Sequence, residues 1–371
     1  MIPVCEPTLS GREAEYAADC LRANWISSGG KFIGLFEEAF AGFCGAKYCV
    51  SCSSGTAALH LALAALDIGP GDEVIIPSFA MIAVGNAVIY TGATPVLVES
   101  KRDTWTMDPE QAAAAVNGRT RAIIAMHTYG HPVDMDPLLE IAAGGKIAMI
   151  EDSAEAHGAE YKGRRCGSIG LMSAFSFYGN KILTTGEGGA VTTSDTALAA
   201  RLRSLENHCF GEPRFVHEDV GFNYRMTNIE AAIGLAQVEA GGKLVEMRRQ
   251  NAAGYNRLLA GVPGVETPPE APWAKSSYWM YGVVLGPEFP LGRDEAMAEL
   301  RRRGIDTRAF FHPLHLQPAY SRLKAGRPIA AGAMPVAEEL GACGLYLPSS
   351  SHLEDEQIRK VADAIFEIAS G

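Results

Sequence analysis

Short apolar runs alternate along the first two hundred residues with segments whose apolar residues recur at helical spacing. The runs predict strands and the spaced segments predict helices. Strands that are nearly continuous in apolar residues and lie between helices favour a parallel sheet covered on both faces. The chain is therefore predicted to be an α/β protein. The strands are expected at 48–50, 74–77, 96–98, 122–126, 147–150 and 174–177, and the helices at 13–22, 32–43, 80–90 and 197–207.

The last third of the chain predicts a smaller second domain. An Ala- and Leu-rich helix over 229–249 leads into it, and 277–285 reads as a strand. Residues 354–368 have the apolar spacing of an amphipathic helix. We expect a large domain with a mostly parallel central sheet at residues 1–240, followed by a small C-terminal α+β domain at residues 241–371.

Small and polar residues follow the ends of three predicted strands. Ser54, Gly55 and Thr56 precede an Ala/Leu helix, whose free N–H groups favour a phosphate. An ordinary Ser or Thr helix cap is the alternative interpretation. Asp152 and Lys181 also come after strands, and ligands of such sheets lie beyond the carboxyl ends of the strands. These ends therefore predict one shared site.

Lys181 follows the apolar run 174–177 and a tight turn, and the glycine-rich segment 186–189 comes shortly after it. Glycines permit unusual backbone angles and the close approach of a flat ligand. Apolar surroundings lower the pKa of an amine and make it nucleophilic. Lys181 is therefore a candidate reactive amine, and a surface lysine after a buried strand is the alternative.

Composition narrows the class of protein. The 371 residues are 47% hydrophobic and carry a net charge of −11, which argues against a nucleic-acid partner. No run of 18 apolar residues and no signal peptide is evident, so no membrane association is expected. Eight scattered cysteines suit reduced thiols in a cytoplasmic protein. Cys49 and Cys52 form a C-x-x-C without a second pair at finger spacing, so we expect no metal site.

Two long strings resemble a known family. Phe175-Ser176-Phe177, Lys181 and the glycines of 186–189 are similar to the lysine segment of the DegT/DnrJ/EryC1/StrS sugar aminotransferases, and 150–158 is similar to their E-D-x-A-x-A-H-G signature. The resemblance covers nearly the whole chain and implies the fold type I of pyridoxal-phosphate-dependent transferases. It implies pyridoxal 5'-phosphate as cofactor, bound by Lys181, which later moves the proton. Lysine at this position argues against the dehydratase branch, which has histidine there.

The resemblance assigns further cofactor contacts. Asp152 would pair with the pyridine nitrogen and Glu155 would lie near the ring hydroxyl, although a solvated helix charge is the alternative for Glu155. His157 fits a structural histidine at least as well as a site residue. The expected phosphate contacts are Ser54, Gly55, Thr56, Ser176 and, from the partner subunit of a homodimer, Asn223 with Arg225 nearby.

The strings at 129–136, 177–181 and 225–232 are most similar to the GDP-perosamine synthase branch of 4-aminotransferases. They imply a keto-sugar substrate, GDP-linked 4-keto-6-deoxymannose, with L-glutamate as donor, for surface polysaccharides. A free keto sugar acid such as 8-oxo-3-deoxyoctulosonate, another nucleotide-linked keto sugar, and a non-enzymatic regulatory protein are the alternatives.

Two departures and three second-domain residues bear on the substrate. Met81 stands where many members place an aromatic residue on the cofactor ring, and a thioether can also contact a ring. The segment 207–217 differs from that expected in the perosamine synthases. Arg308 could bind a diphosphate in forked geometry, and His312 and His315 could face the sugar. A structural arginine and a packed His-Pro turn are their alternatives.

Overall fold

The computed structural model describes residues 1–323 and 328–371. Its helices are α1 Glu13–Arg22, α2 Lys31–Cys44, α3 Gly55–Ala64, α4 Ile82–Tyr90, α5 Pro109–Ala115, α6 Met135–Gly145, α7 Thr196–Glu206, α8 Asn228–Glu239, α9 Gly241–Leu259, α10 Arg293–Arg302, α11 Pro318–Ser321, α12 Pro335–Cys343 and α13 Asp355–Ser370. Its strands are β1 Tyr48–Cys52, β2 Glu73–Pro77, β3 Thr94–Val98, β4 Thr120–Met126, β5 Ala148–Asp152, β6 Glu160–Tyr161, β7 Arg164–Arg165, β8 Met172–Ser176, β9 Gly189–Thr193, β10 Val265–Glu266, β11 Ala274–Lys275, β12 Tyr281–Leu285, β13 Arg308–Ala309, β14 Ile329–Ala330 and β15 Gly344–Leu347.

The central sheet has eight strands in the order β1-β9-β8-β5-β4-β2-β3-β14. β9 runs antiparallel to both of its neighbours, and the other pairs are parallel. Because β1 and β8 flank β9, they point the same way as β5, so their carboxyl ends lie on one edge. The prediction of an α/β protein with a mostly parallel central sheet is confirmed.

Apolar burial on both faces explains this sheet. All five residues of β2 are buried, as expected for a strand covered by helices on each side. An aromatic cluster lies behind β8, where the ring of Phe40 packs edge-on against Phe175 and Phe177 at centroid distances of 4.8 and 4.9 Å. This packing fixes the strand that leads to Lys181.

A second, antiparallel sheet has the order β10-β12-β15-β13, and it packs with α9, α10 and α13 around its own apolar core. The chain crosses between the two sheets more than once. Ile2 belongs to the core of the second sheet, whereas β14 pairs with β3 of the first. The domain division at residues 240 and 241 stays a prediction.

Two local predictions were wrong. The single helix expected over 229–249 is divided into α8 and α9 at Ala240. Gly241 follows the break and approaches Phe43 so closely that a Cβ there would lie 2.8 Å from the ring. The strand expected over 277–285 begins only at Tyr281, because Tyr278 has a φ of +47°, outside the strand region.

Within residues 1–323 and 328–371, no helix combines the length and the apolar character that crossing a membrane requires.

Candidate active site

A cavity of about 390 Å³ lies beyond the carboxyl ends of β1, β5 and β8. The strand ends supply its polar floor, and residues from the second half of the chain supply part of its wall. Its lining residues are Ser54, Gly55, Thr56, Leu59, Met81, Ala83, Met126, Asp152, Ala154, Glu155, Ser176, Tyr178, Asn180, Lys181, Glu187, Trp279, Phe311 and Tyr346. The structure thus brings together most of the residues that the sequence singled out.

The N-terminus of α3 forms one side of the cavity. Ser54 caps the helix, since its Oγ accepts a hydrogen bond from the Ala57 N–H at 3.1 Å. The first amides of a helix have no intrahelical acceptor and favour an anion. Gly55 lies so close to β8 that a Cβ there would be 2.7 Å from the Cβ of Ser176. Ser54 therefore caps the helix and also lines the cavity, and its contact with a phosphate stays a prediction.

Lys181 is held inside the cavity. Its side chain is only 10% exposed, and its Nζ lies 3.7 Å from Oε1 of Glu155. Burial lowers the pKa of the amine, while the negative charges of Glu155 and Asp152 oppose that shift. The alternative of a solvent-exposed surface lysine is wrong, and the geometry suits a nucleophilic amine.

Two carboxyl groups face this amine. Asp152 ends β5, and burial raises its pKa, although Lys181 and a hydrogen bond from the Ala154 N–H at 3.1 Å counteract this. Burial raises the pKa of Glu155 to about 7, again with Lys181 counteracting the rise. Oε2 of Glu155 accepts a hydrogen bond from the Tyr129 N–H at 2.9 Å. Glu155 is buried, so the solvated-charge alternative is wrong.

A buried network that the sequence analysis missed fixes the end of β5. Nδ1 of His127 accepts from the Val133 N–H at 3.0 Å, so its Nε2–H donates to Glu151 at 3.0 Å. The backbone N–H of His127 also donates to the carbonyl of Asp152 at 3.0 Å. Burial alone would raise the pKa of Glu151, but hydrogen bonds from His127 and from the backbone outweigh it and lower the pKa. The network positions Asp152.

The opposite wall was only partly predicted. Met81 lines the cavity with 45% of its surface exposed. Trp279, Phe311 and Tyr346 come from the second half of the chain. Trp279 and Tyr346 were not predicted at this site, and the aromatic string around Trp279 was the available signal in the sequence.

Four predicted site residues are not among those that line the cavity in the described part of this chain. Asn223 is exposed on the segment before α8. Arg308 is exposed and pairs with Asp306 at 2.7 Å. His312 is exposed, and its Nε2 lies 3.3 Å from the carbonyl of Leu316. His315 forms hydrogen bonds through Nδ1 with the Ser78 hydroxyl at 2.7 Å and through Nε2 with the Glu338 carboxylate at 3.1 Å. Their roles stay predictions.

His157 and the cysteine pair have structural surroundings. His157 is buried against the rings of Phe40, Phe175 and Phe177, and burial lowers its pKa to about 3. Cys49 and Cys52 are free and buried, and burial raises the pKa of both thiols. A raised pKa keeps a thiol in its unreactive, neutral form.

The sequence profile of the DegT/DnrJ/EryC1/StrS aminotransferase family matches residues 7–366. The chain belongs to this family. Members of the DegT/DnrJ/EryC1/StrS aminotransferase family are pyridoxal-phosphate-dependent, so this chain is a pyridoxal-phosphate-dependent aminotransferase.

Individual relatives agree with the family. A GDP-perosamine synthase of Caulobacter vibrioides is 44% identical over 99% of this chain and 98% of its own length. A GDP-perosamine synthase of Escherichia coli O157:H7 is 41% identical over 100% of this chain and 99% of its own length. The crystal structure of DesV from S. venezuelae superposes with a TM-score of 0.91 at 39% identity, covering 100% of this chain and 99% of that one. The family and the fold type are thereby confirmed.

The residues present fit the cofactor of the family. Gly55 packs so closely on Ser176 that a Cβ would not fit between them, which places the free amides of α3 beside the Ser176 hydroxyl, and such amides favour a phosphate. The buried Oδ1 of Asn180, which lines the cavity, has no hydrogen-bond partner in the described residues. Lys181 could bind the aldehyde and Asp152 could hold a proton on the ring nitrogen. Pyridoxal phosphate, when bound, supplies an aldehyde that accepts amino groups and a ring that takes up negative charge.

Replacing Lys181 by alanine should abolish transamination, because the reactive amine and the base are lost together. We expect the turnover rate to fall by at least roughly 10²- to 10⁴-fold. Borohydride treatment of the loaded parent protein should attach the cofactor to Lys181, as mass spectrometry of the peptide would show. The exposed helical lysine Lys360, changed to alanine, is the matched control and should keep full activity. Multiple turnovers by Lys181→Ala would refute the assignment.

Replacing Asp152 by asparagine should slow catalysis and keep the fold. The amide can still accept the hydrogen bond from the Ala154 N–H, but it cannot stabilise a protonated ring nitrogen. We expect a loss of about 10²- to 10³-fold in kcat, typical of removing one preorganised electrostatic group, with an unchanged midpoint of thermal unfolding. An unchanged rate of reaction with the amino donor alone would show that another residue performs this task.

Proposed function

We propose that this aminotransferase moves the amino group of L-glutamate to the C4 keto group of GDP-linked 4-keto-6-deoxymannose. The placement of Lys181 between Asp152, Glu155 and the N-terminus of α3 supports transamination. Full-length similarity to relatives named GDP-perosamine synthase supports the sugar. The choice of glutamate is supported by the family resemblance of the sequence.

In this proposal the buried groups divide the proton handling. The Nζ of Lys181 would take the proton from the substrate carbon of the amino donor and would later deliver a proton to C4 of the sugar. Glu155, whose pKa of about 7 lets it exchange protons near neutrality, lies 3.7 Å from that nitrogen. Asp152, at the floor of the cavity, would hold a proton on the ring nitrogen of the cofactor. The aromatic wall of Trp279, Phe311 and Tyr346 restricts the entry of water.

The proposal includes a homodimer whose active sites are shared. Asn223 is exposed on the segment before α8, and its backbone forms an isolated antiparallel β-bridge with Asn207, the residue after α7. Nη1 of Arg225 donates to Oδ1 of Asn207 at 2.9 Å, so the segment before α8 is held against the end of α7. An exposed and braced polar segment suits contact with the site of a second subunit, and two-fold symmetry would make the contact reciprocal.

The binding of the GDP diphosphate by Arg308 is part of the same proposal. Arg308 on β13 lies opposite Tyr346 on the neighbouring strand β15, and Tyr346 lines the cavity. Arg308 is therefore one strand away from a cavity-lining residue. The contacts of His315 with Ser78 and Glu338 favour a structural role for that residue. A cytoplasmic location is supported by eight cysteines that are all free.

A free keto sugar acid is the second candidate acceptor. The exposed Met81 leaves one face of the cavity without the aromatic residue common in the family. The segment 207–217 also carries an exposed Phe215 and a bridge between Phe210 and His217. Both features could suit an acceptor without a nucleotide.

Mixing two inactive variants tests the shared site. Asn223→Asp should lose cofactor affinity, because a carboxylate would repel the phosphate. A hybrid with Lys181→Ala subunits has one site in which both residues are native, so random re-association should restore about a quarter of the parental activity. Mixtures that stay inactive, or a fully active monomer in sedimentation, would contradict the shared site.

A side-by-side assay tests the acceptor. The parent protein with glutamate should form amino sugar, seen by mass spectrometry, from GDP-4-keto-6-deoxymannose, and should release one 2-oxoglutarate for each amino sugar. The free acid 8-oxo-3-deoxyoctulosonate should react at least roughly 10²-fold more slowly in kcat/KM, because the polar groups that bind the GDP portion of the substrate would be left unpaired. Faster turnover of the free acid would overturn the choice of sugar and leave the aminotransferase assignment intact.

A further inference from the structure

Trp279 lies against the reactive amine. The Nζ of Lys181 lies 3.8 Å from the centroid of the Trp279 ring. Cations are attracted to the face of an indole within about 6 Å of its centroid, most strongly when they are out of water. Lys181 is 10% exposed, so water competes little for its charge.

The indole is fixed in three ways. Its Nε1–H donates to the carbonyl of Asn180, the residue directly before Lys181, at 2.8 Å. The carbonyl of Trp279 accepts from Nη1 of the buried Arg248 at 3.0 Å. Its ring stacks on Tyr129 at a centroid distance of 6.1 Å. A ring restrained at its edge, backbone and face can hold the lysine in one position.

We propose that Trp279 is a positioning residue for Lys181: its indole face binds the ammonium form of the side chain and holds Nζ toward the carboxyl group of Glu155. The proposal deepens the function proposed above, since it rests on Lys181 as the reactive amine. A residue from the second half of the chain thereby sets the geometry and the proton affinity of an amine in the first.

The other groups around Lys181 define what the ring adds. Glu155 and Asp152 favour the ammonium form of Lys181, as does the side chain of Cys5. The imidazole of the buried His157 has no hydrogen-bond partner in the described residues. Cys5 is also close, since its Sγ lies 3.3 Å from the carbonyl of Asn180. Burial disfavours the charged form of Lys181, whereas the indole ring and the two acids all favour it.

The test measures the proton affinity of Lys181 without catalysis. Trace acetylation of the full-length protein, freed of cofactor, modifies only unprotonated amines, and mass spectrometry of the Lys181 peptide gives the pH of half reaction. Trp279→Leu removes the face that stabilises the charge, so the midpoint should fall by about 0.5–1 pH unit. The rising limb of kcat against pH should move to lower pH in the loaded enzyme.

Two further variants separate the ring from the fold. Trp279→Phe keeps an aromatic face but loses the hydrogen bond to Asn180, so its midpoint should lie above that of Trp279→Leu. Trp273→Leu is the control, since Trp273 packs on Tyr161 and His131 and does not line the cavity. Equal midpoints for the parent and Trp279→Leu, or a higher one for Trp279→Leu, would overturn the inference. Activity of Lys181→Ala would instead overturn the proposed function, so the two failures are distinguishable.

Discussion

Lys181, Asp152 and Glu155 share one buried site, and each of them would ionise poorly there alone. Burial lowers the pKa of the amine and raises that of both carboxyl groups, and each opposite charge partly reverses the effect. Unpaired buried charges are costly, so the three groups are stable only when held close together. The rest of the structure supplies that closeness. The burial that lowers the pKa of the amine favours its free form, which a nucleophile needs.

The topology of the sheet brings these groups together. β9 runs against its neighbours, and this leaves β1, β8 and β5 pointing the same way. The start of α3, the lysine turn and Asp152 therefore meet at one edge, although they are far apart in sequence. The network of His127 and Glu151 then ties the end of β4 to that of β5. A rotation or shift of one strand end would separate an acid from the amine, so the network serves the chemistry as well as the fold.

The sequence was informative where the signal was local. Apolar runs located the strands, and the residues directly after them located Ser54, Asp152 and Lys181. Trp279 was not predicted, since its contact with Lys181 joins residues almost a hundred positions apart and the residue before it, Tyr278, has a φ of +47°. The break between α8 and α9 was missed for a related reason. Helical spacing continues through it, and the close approach of Gly241 to Phe43 at the break joins residues that are far apart in the sequence.

The contact between Trp279 and Lys181 also makes the closed wall a condition for the chemistry. Were the second sheet displaced, the amine would lose the indole face and gain water, and these two changes act on its pKa in opposite directions. Water would in addition screen the attraction of Glu155 and Asp152. The aromatic wall must therefore stay in place for the amine to keep both its position and its proton affinity. Arg248 joins the wall to the rest of the second half of the chain, because it binds both Trp279 and Ser351. The packing that closes the cavity and the electrostatics that prepare the amine are thus parts of one interaction.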